Sequence, residues 1–266
     1  CALPIYVFLS CFLLSGCGMI DYHPYDVRIS GETEVNAHNI ERIEANCQGK
    51  TTIRFVTMGD SQRWYDETED FVKEINKRND IDFVIHGGDM SDFGLTKEFL
   101  WQRDIMNGLN VPYVVLIGNH DCLGTGAETY KAVFGPTNFS FIAGNVKFVC
   151  LNTNALEYDY SEPVPNFTFM EQEITSRLDE FEKTVISMHA RPYTDVFNDN
   201  VAKVFQHYIR QYPGIQVCTA AHTHHYQDDV IFDDGIHYVT SDCMDYRTYL
   251  VFTITPEKYE YELVKY

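Results

Sequence analysis

From residue 51 onward the chain alternates short β-branched apolar runs with amphipathic stretches. Ile53–Met58 is an apolar run that ends at Gly59. Residues 66–78 set Phe71, Val72 and Ile75 in one stripe among Asp, Glu and Lys, the spacing of a helix with one buried face. Residues 81–85 predict the next strand, 95–107 the next helix and 111–117 a third strand. Such β-α-β steps imply parallel pairing with right-handed crossovers.

The second half is less regular. Residues 122–145 are a glycine-rich excursion holding Gly124, Gly126, Gly135 and Gly144, and 146–151 is a strand. Residues 155–168 lack periodicity and contain Pro163 and Pro165, so a loop is expected. Residues 169–182 read as a helix with Ile174, Leu178 and Phe181 on one face. Strands follow at 184–188 and 215–220, with a helix at 199–211 between them. After residue 230 the pattern suggests antiparallel β at 237–240, 249–254 and 259–264, the last alternating as a half-buried strand does. Residues 17–50 are polar, with Pro24, Gly31 and Gly49 as breakers, and read as a tether and lead-in. One domain over 51–266 is the economical reading.

Composition narrows the functional classes. Of 266 residues, 45% are hydrophobic, enough for a sizeable core without staples. Lys and Arg total 20 against 39 Asp and Glu, a formal charge of -19. So acidic a surface repels a phosphate backbone, which disfavours nucleic acid as the main substrate. None of the eight cysteines forms a CxxC pair or another zinc spacing, and free buried thiols are expected.

The first twenty residues carry no charge. A transmembrane anchor is one reading of such a run. The preferred one is a signal segment over 1–16, because Leu14-Ser15-Gly16-Cys17 resembles the lipobox of bacterial lipoproteins, in which the cysteine is lipid-modified. That resemblance implies a lipid anchor at Cys17 and a place in the bacterial cell envelope, on the periplasmic or outer-membrane face.

The chemistry lies in short motifs that follow the predicted strands: Gly59-Asp60-Ser61-Gln62, Gly88-Asp89-Met90-Ser91-Asp92, Gly118-Asn119-His120-Asp121, His189, and Ala221-His222-Thr223-His224. Open α/β sheets place ligand groups just past the carboxyl ends of their strands, so parallel pairing would gather these residues on one rim. Carboxylate, imidazole and amide oxygen donors together suit divalent ions such as Mn, Fe or Zn. Two such ions can clamp the attacking and leaving oxygens of a phosphoryl transfer. An i, i+2 pair in an extended segment would point His222 and His224 to the same side, with His225 facing the surface.

In order and approximate spacing these motifs resemble the calcineurin-like metallophosphoesterase family, whose signature runs Asp-x-His, Gly-Asp-x-x-Asp, Gly-Asn-His-Asp/Glu, a lone His and Gly-His-x-His. The resemblance covers nearly all of 51–266, including 134–141 and 189–193 around the site. It implies a four-layer α-β-β-α sandwich with two mixed sheets and a centre of two divalent ions. Asp60 and His224 would bind the first ion, Asp89 would bridge, and Asn119, His189 and His222 would bind the second. His120 would protonate the leaving group, oriented by Asp92, while a hydroxide held between the ions attacks phosphorus. Two positions depart from the pattern. Gln62 stands where the family usually has His, giving the first ion a weaker oxygen ligand or none. Ala221 replaces Gly, which would be strained if that position needs a positive φ.

Other residues have weaker readings. Arg191 suits an oxyanion contact or a surface ion pair, and Tyr193 suits a pocket wall or packing. Trp64 and Tyr65 suit stacking on an aromatic or sugar group, or core packing. The expectation is a phosphatase or phosphodiesterase acting on a small phosphate ester. A non-catalytic scaffold on the same fold and a nuclease are the alternatives; Gln62 favours the first and the acidic charge opposes the second.

Overall fold

The computed structural model describes residues 27–155 and 163–266. The expected signal segment and Cys17 lie outside the described residues, as does half of the expected 155–168 loop, residues 156–162.

Two sheets form the middle of the molecule. The first contains β1 (Ile53–Met58), β2 (Phe83–His86), β3 (Tyr113–Val115), β10 (Thr248–Ile254) and β11 (Tyr259–Lys265), in the order β11-β10-β1-β2-β3. β1, β2 and β3 pair in parallel, as the β-α-β pattern predicts, and β10 and β11 add antiparallel. The second contains β4 (Phe139–Ala143), β5 (Val146–Leu151), β6 (Lys183–Met188), β7 (Ile215–Ala220), β8 (Gln227–Asp229) and β9 (Tyr238–Thr240), in the order β4-β5-β6-β7-β9-β8. Here β5, β6, β7 and β9 are parallel, and β4 and β8 are antiparallel to their neighbours.

Each sheet is apolar on both faces, and this creates the layers. Phe55, Phe83 and Phe252 from the first sheet meet Phe141 and Phe148 from the second. Phe55 stacks 5.5 Å from Phe83 and lies edge-on at 4.9 Å to Phe148, separations favoured by aromatic pairs. On the outer face of the first sheet lie α2 (Tyr65–Ile75), α3 (Thr96–Met106) and α4 (Gly126–Phe134). They bury Phe71, Phe99 and Val133 against Val56 and Val84. On the outer face of the second lie α5 (Phe167–Thr175) and α6 (Ala202–Ile209), burying Met170 and Phe205 against Val149 and Ile186. The fold is thus the α-β-β-α sandwich with two mixed sheets that the motifs imply.

Several local expectations are corrected. β9 joins the second sheet, parallel to β7 and antiparallel to β8, and not a run with β10 and β11. The glycine-rich excursion contains α4 and β4. α5 ends at Thr175, and Leu178, expected on its apolar face, is exposed. Within the stretch read as lead-in, Val35–Cys47 forms a helix, α1, with Val35, Ile43 and Cys47 buried. Buried asparagines hide its periodicity. Asn36 donates to Val115 O at 2.9 Å and accepts from Val115 N–H at 2.8 Å, so its amide stands in for the missing strand beside β3. The described cysteines, Cys47, Cys122, Cys150, Cys218 and Cys243, are all free thiols. Among the described residues no helix is long and apolar enough to cross a membrane.

Candidate metal centre

The carboxyl ends of β1, β2, β6 and β7 meet where the two sheets lie against each other. Met58 is in register with His86, so Gly59-Asp60 and Gly87-Gly88-Asp89 leave the sheet side by side. Asp60 N–H donates to Gly88 O, and Ser61 and Gln62 N–H donate to Asp89 O, each at 3.0 Å. From the second sheet, Ala221 N–H donates to His189 O at 3.0 Å. The sheets are tied together by His189 Nδ1, which donates to Gly87 O at 2.8 Å, and His222 N–H, which donates to Asp60 Oδ2 at 3.0 Å.

One ligand atom from each of Asp60, Asp89 and His189 falls within 4.8 Å of the others, and all three residues are buried. Asn119 Oδ1 lies 3.0 Å from both His189 Nε2 and His222 Nδ1. His224 Nε2 lies 3.5 Å from Asp60 Oδ1. Asp89 Oδ2 lies 3.5 Å from both His189 Nε2 and Gln62 Nε2. Side chains scattered from residue 60 to residue 224 therefore form one cluster.

Backbone strain accompanies this convergence. Asp60, Asp89, His222 and His224 have φ of 51°, 57°, 74° and 61°. The left-handed region is unfavourable for such residues, and clusters of it mark functional sites. His222 and His224 thus sit in a turn and not in the extended segment expected, although both rings still face the cluster. Close approach of the loops also demands glycine: a Cβ on Gly118 would meet Asp89 Oδ1 at 2.1 Å. Ala221 is not among the residues with positive φ, so it escapes the strain expected there. Its methyl fills space left by Gly87, where a Cβ would come within 2.8 Å of it.

The hydrogen bonds fix which ring nitrogens face inward. His222 Nε2 donates to Asp195 Oδ1 at 2.6 Å, so the neutral ring turns a Nδ1 lone pair toward Asn119 Oδ1. His189 spends its Nδ1 proton on Gly87 O and turns Nε2 toward the same oxygen, as a lone pair when the ring is neutral and as an N–H donor when it is charged. Lone pairs aimed at an acceptor repel unless a proton or a cation lies between them. Asp60 Oδ1 and Gln62 Oε1 are buried without hydrogen-bond partners. Acceptors converging in this way, with unpartnered oxygens among them, fit divalent cations.

The electrostatics agree. Burial pushes the Asp60 carboxyl up to about 7, reinforced by the Asp89 charge and opposed by His189. Burial acts against the charged forms of Asp89 and His189 too, but their mutual attraction wins. It holds Asp89 below the usual carboxylate range and carries His189 up to about 9. Burial, then the His189 charge, lowers His222. Two buried carboxylates are thus balanced here by one strongly basic imidazole.

His120 N–H donates to Asp89 Oδ1 at 2.9 Å. Its Nδ1 donates to the backbone carbonyl of Asp92 at 2.8 Å and lies 3.8 Å from the Asp92 carboxylate. The Asp92 carboxylate instead accepts from Arg63 Nη2 at 2.5 Å. Arg191 donates through Nη2 to Gln227 and Asp229, each at 2.8 Å, the ion-pair alternative. Tyr193 is exposed, with its ring 5.7 Å from Phe232.

Three supporting residues had no role in the motif reading, although Asp121 stands within its third motif. Asp121 gathers the loops: Oδ2 accepts from Asp89 and Gly118 N–H at 2.9 Å, and Oδ1 accepts from Ser91 N–H at 2.8 Å. Burial pushes its carboxyl up to about 6. His86 accepts from Gly88 N–H at 3.2 Å through Nδ1 and so must donate from Nε2 to Ser61 Oγ, 2.8 Å away. A histidine ending a buried strand was the available signal for it. Asp195 had none, being a lone acidic residue in a polar loop.

Comparison with known proteins places this geometry. The calcineurin-like phosphoesterase family matches residues 53–226. No curated protein matches the chain. Similar solved structures include GAP50, the anchor in the inner membrane complex of Plasmodium, with a TM-score of 0.61 and 11% identity over 81% of this chain and 85% of that one. A dimetal phosphatase from Danio rerio has a TM-score of 0.62 and 11% identity over 80% of this chain and 97% of that one. The yellow lupin purple acid phosphatase PPD1 has a TM-score of 0.60 and 14% identity over 82% of this chain and 52% of that one. At these identities the likeness is one of fold.

Proposed function

Since the chain belongs to the calcineurin-like phosphoesterase family, we propose that it hydrolyses a small-molecule phosphate monoester or diester at a two-cation centre. Asp60, His224 and Gln62 would hold one ion, Asn119, His189 and His222 the other, with Asp89 between them. The observation that carries this reading is the convergence of two imidazole nitrogens on Asn119 Oδ1 beside buried Asp60 and Asp89. Bound divalent ions would bring a water's pKa toward neutrality and offset charge on the phosphoryl oxygens.

The chain's own residues supply the rest. His120 is held at its backbone by Asp89 and at Nδ1 by the Asp92 carbonyl. With the Nδ1 proton so engaged, His120 would act from its imidazolium form, its Nε2 proton passing to the leaving oxygen. Asp92 acts through its carbonyl, while its carboxylate restrains Arg63 at the same rim. Release of p-nitrophenol from mono- and bis-esters, with Mn, Zn, Fe, Co or Ni added, tests the proposal. Turnover should need a metal and fall about 10²- to 10⁴-fold in His120→Ala. Absence of turnover with every metal, or a His120→Ala variant as active as the parent, contradicts it.

We further propose attachment to the cell envelope through Cys17, on the strength of the Leu14-Ser15-Gly16-Cys17 motif. Mass spectrometry of the membrane-extracted protein should find a lipidated Cys17 at the mature N-terminus. Residues upstream of Cys17 retained in that protein would exclude it.

A further inference from the structure

A cavity of about 310 Å³ opens beside the first-ion side of the centre. Gln62 and His224 form one part of its wall, so a molecule lying in it touches the cluster directly. The rest of the wall is not made of ligands. Arg63 and Trp64 come from the loop after β1, and His225, Cys243, Asp245 and Tyr246 come from the loops after β7 and β9.

This wall is built and anchored. Gly59 forms an isolated bridge with Cys243, and Cys243 N–H donates to His224 O at 3.3 Å. Met244 N–H donates to Asp60 O at 3.4 Å, which pins the 244–246 turn to the loop carrying Asp60. Arg247, next in the chain, is held by Asp70 at 2.8 Å and Glu67 at 3.4 Å. Trp64 is anchored through its backbone: its N–H donates to Ser61 O at 2.8 Å, and its carbonyl accepts from Thr68 Oγ1 at 2.7 Å. Tyr246, by contrast, is 45% exposed and contributes nothing to the core; its ring stands 5.4 Å from that of exposed His225. This exposed aromatic pair, contributed by two loops that line the cavity with Trp64, Gln62 and His224, belongs to none of the core clusters.

We propose that this cavity is the subsite for the organic group of the phosphoester, and that it selects esters carrying a flat aromatic ring. The inference rests on the phosphoesterase reading of the adjoining centre. Tyr246 and His225 offer exposed ring surfaces for stacking, while Trp64, packed in part against the core, closes the wall, and aromatic contacts favour flat, polarisable groups over saturated ones of the same size. Asp245 supplies an acceptor for an N–H or O–H on that group, and Arg63 supplies a guanidinium for an oxyanion. The volume sits at the small end of ligand cavities, which suits a single ring system and not a polymer.

The test compares benzyl phosphate with cyclohexylmethyl phosphate, whose leaving alcohols are of similar acidity, and phenylphosphonate with cyclohexylphosphonate, on the metal-loaded parent, Tyr246→Ala and Tyr246→Phe. The parent should favour the benzyl ester in kcat/KM, and the phenyl phosphonate in calorimetric affinity. Tyr246→Ala should lose about three- to tenfold on the aromatic ligands only, as expected for one aromatic contact. Tyr246→Phe should keep the preference. A parent without ring preference, or a Tyr246→Ala variant that loses equally on both ligands or on neither, overturns the subsite. Failure of all turnover together with ring-selective phosphonate binding would remove the hydrolase reading and leave the aromatic subsite standing.

Discussion

His222 has a carboxylate at one ring nitrogen and an amide oxygen at the other, which makes Asp195 part of the centre although it touches no other proposed ligand. A carboxylate behind a ligating imidazole fixes its tautomer and raises its basicity. Asp195→Ala should therefore weaken metal binding about 10- to 100-fold in calorimetric titration; an unchanged affinity would make the 2.6 Å contact incidental. Protons compete for the same place. Asp60 is raised to about 7 and His189 to about 9. The contribution of each to metal-free stability is complete below its ordinary pKa and is lost as pH rises through these values. A cation must displace both protons, so metal affinity should climb from about pH 6 to about pH 9 with proton release. Titrations in buffers of different ionisation heat measure this, and a pH-independent affinity with no released protons would oppose it. Gln62→His should tighten the first ion, since imidazole replaces an amide donor; an unchanged metal titration would remove Gln62 from the ligand set. At this scale the motif residues were legible because strands deliver them to one rim. Asp195 was not, because its role depends on a contact that no local pattern encodes, and His86 was marked only by its place at the end of a buried strand.

Among the elements, strands were legible where apolar runs end in a motif, as at β1, β2, β6 and β7. Helix α1 was hidden because buried Asn36 and Asn39 break its stripe. Asn36 replaces a strand partner for β3, so Asn36→Leu should strand the buried Val115 N–H at a cost of about 1–3 kcal/mol. Thermal unfolding should show the loss, and an unshifted Tm would mean that the sheet edge is satisfied some other way. The loop after β3 is equally constrained. Gly118→Ala would drive a methyl into Asp89, so it should abolish stabilisation by added metal while leaving the circular dichroism of the sheets intact. Persistence of metal stabilisation in that variant would place Asp89 outside the centre. The parallel direction of β9 was illegible for a different reason: strand direction follows from the route of the 221–237 connection, which carries no periodic signal.

Over the whole molecule, the two sheets bring together residues from both halves of the chain and bury opposed charges where they meet. A protein with a formal charge of -19 gains from cations at that place, and its surface argues against a polyanionic substrate. The layer order was readable through the motifs' resemblance, whereas the shape of the cavity beside the centre depends on a turn from the far end of the chain. Anomalous diffraction from crystals of the parent protein soaked in Mn²⁺ addresses the central claim most directly. Two peaks are predicted, about 3.5–4 Å apart, one beside Asp60 and His224, one beside Asn119, His189 and His222, with Asp89 within reach of both. Absence of any peak within ligand distance of Asp89 in such crystals would contradict the account.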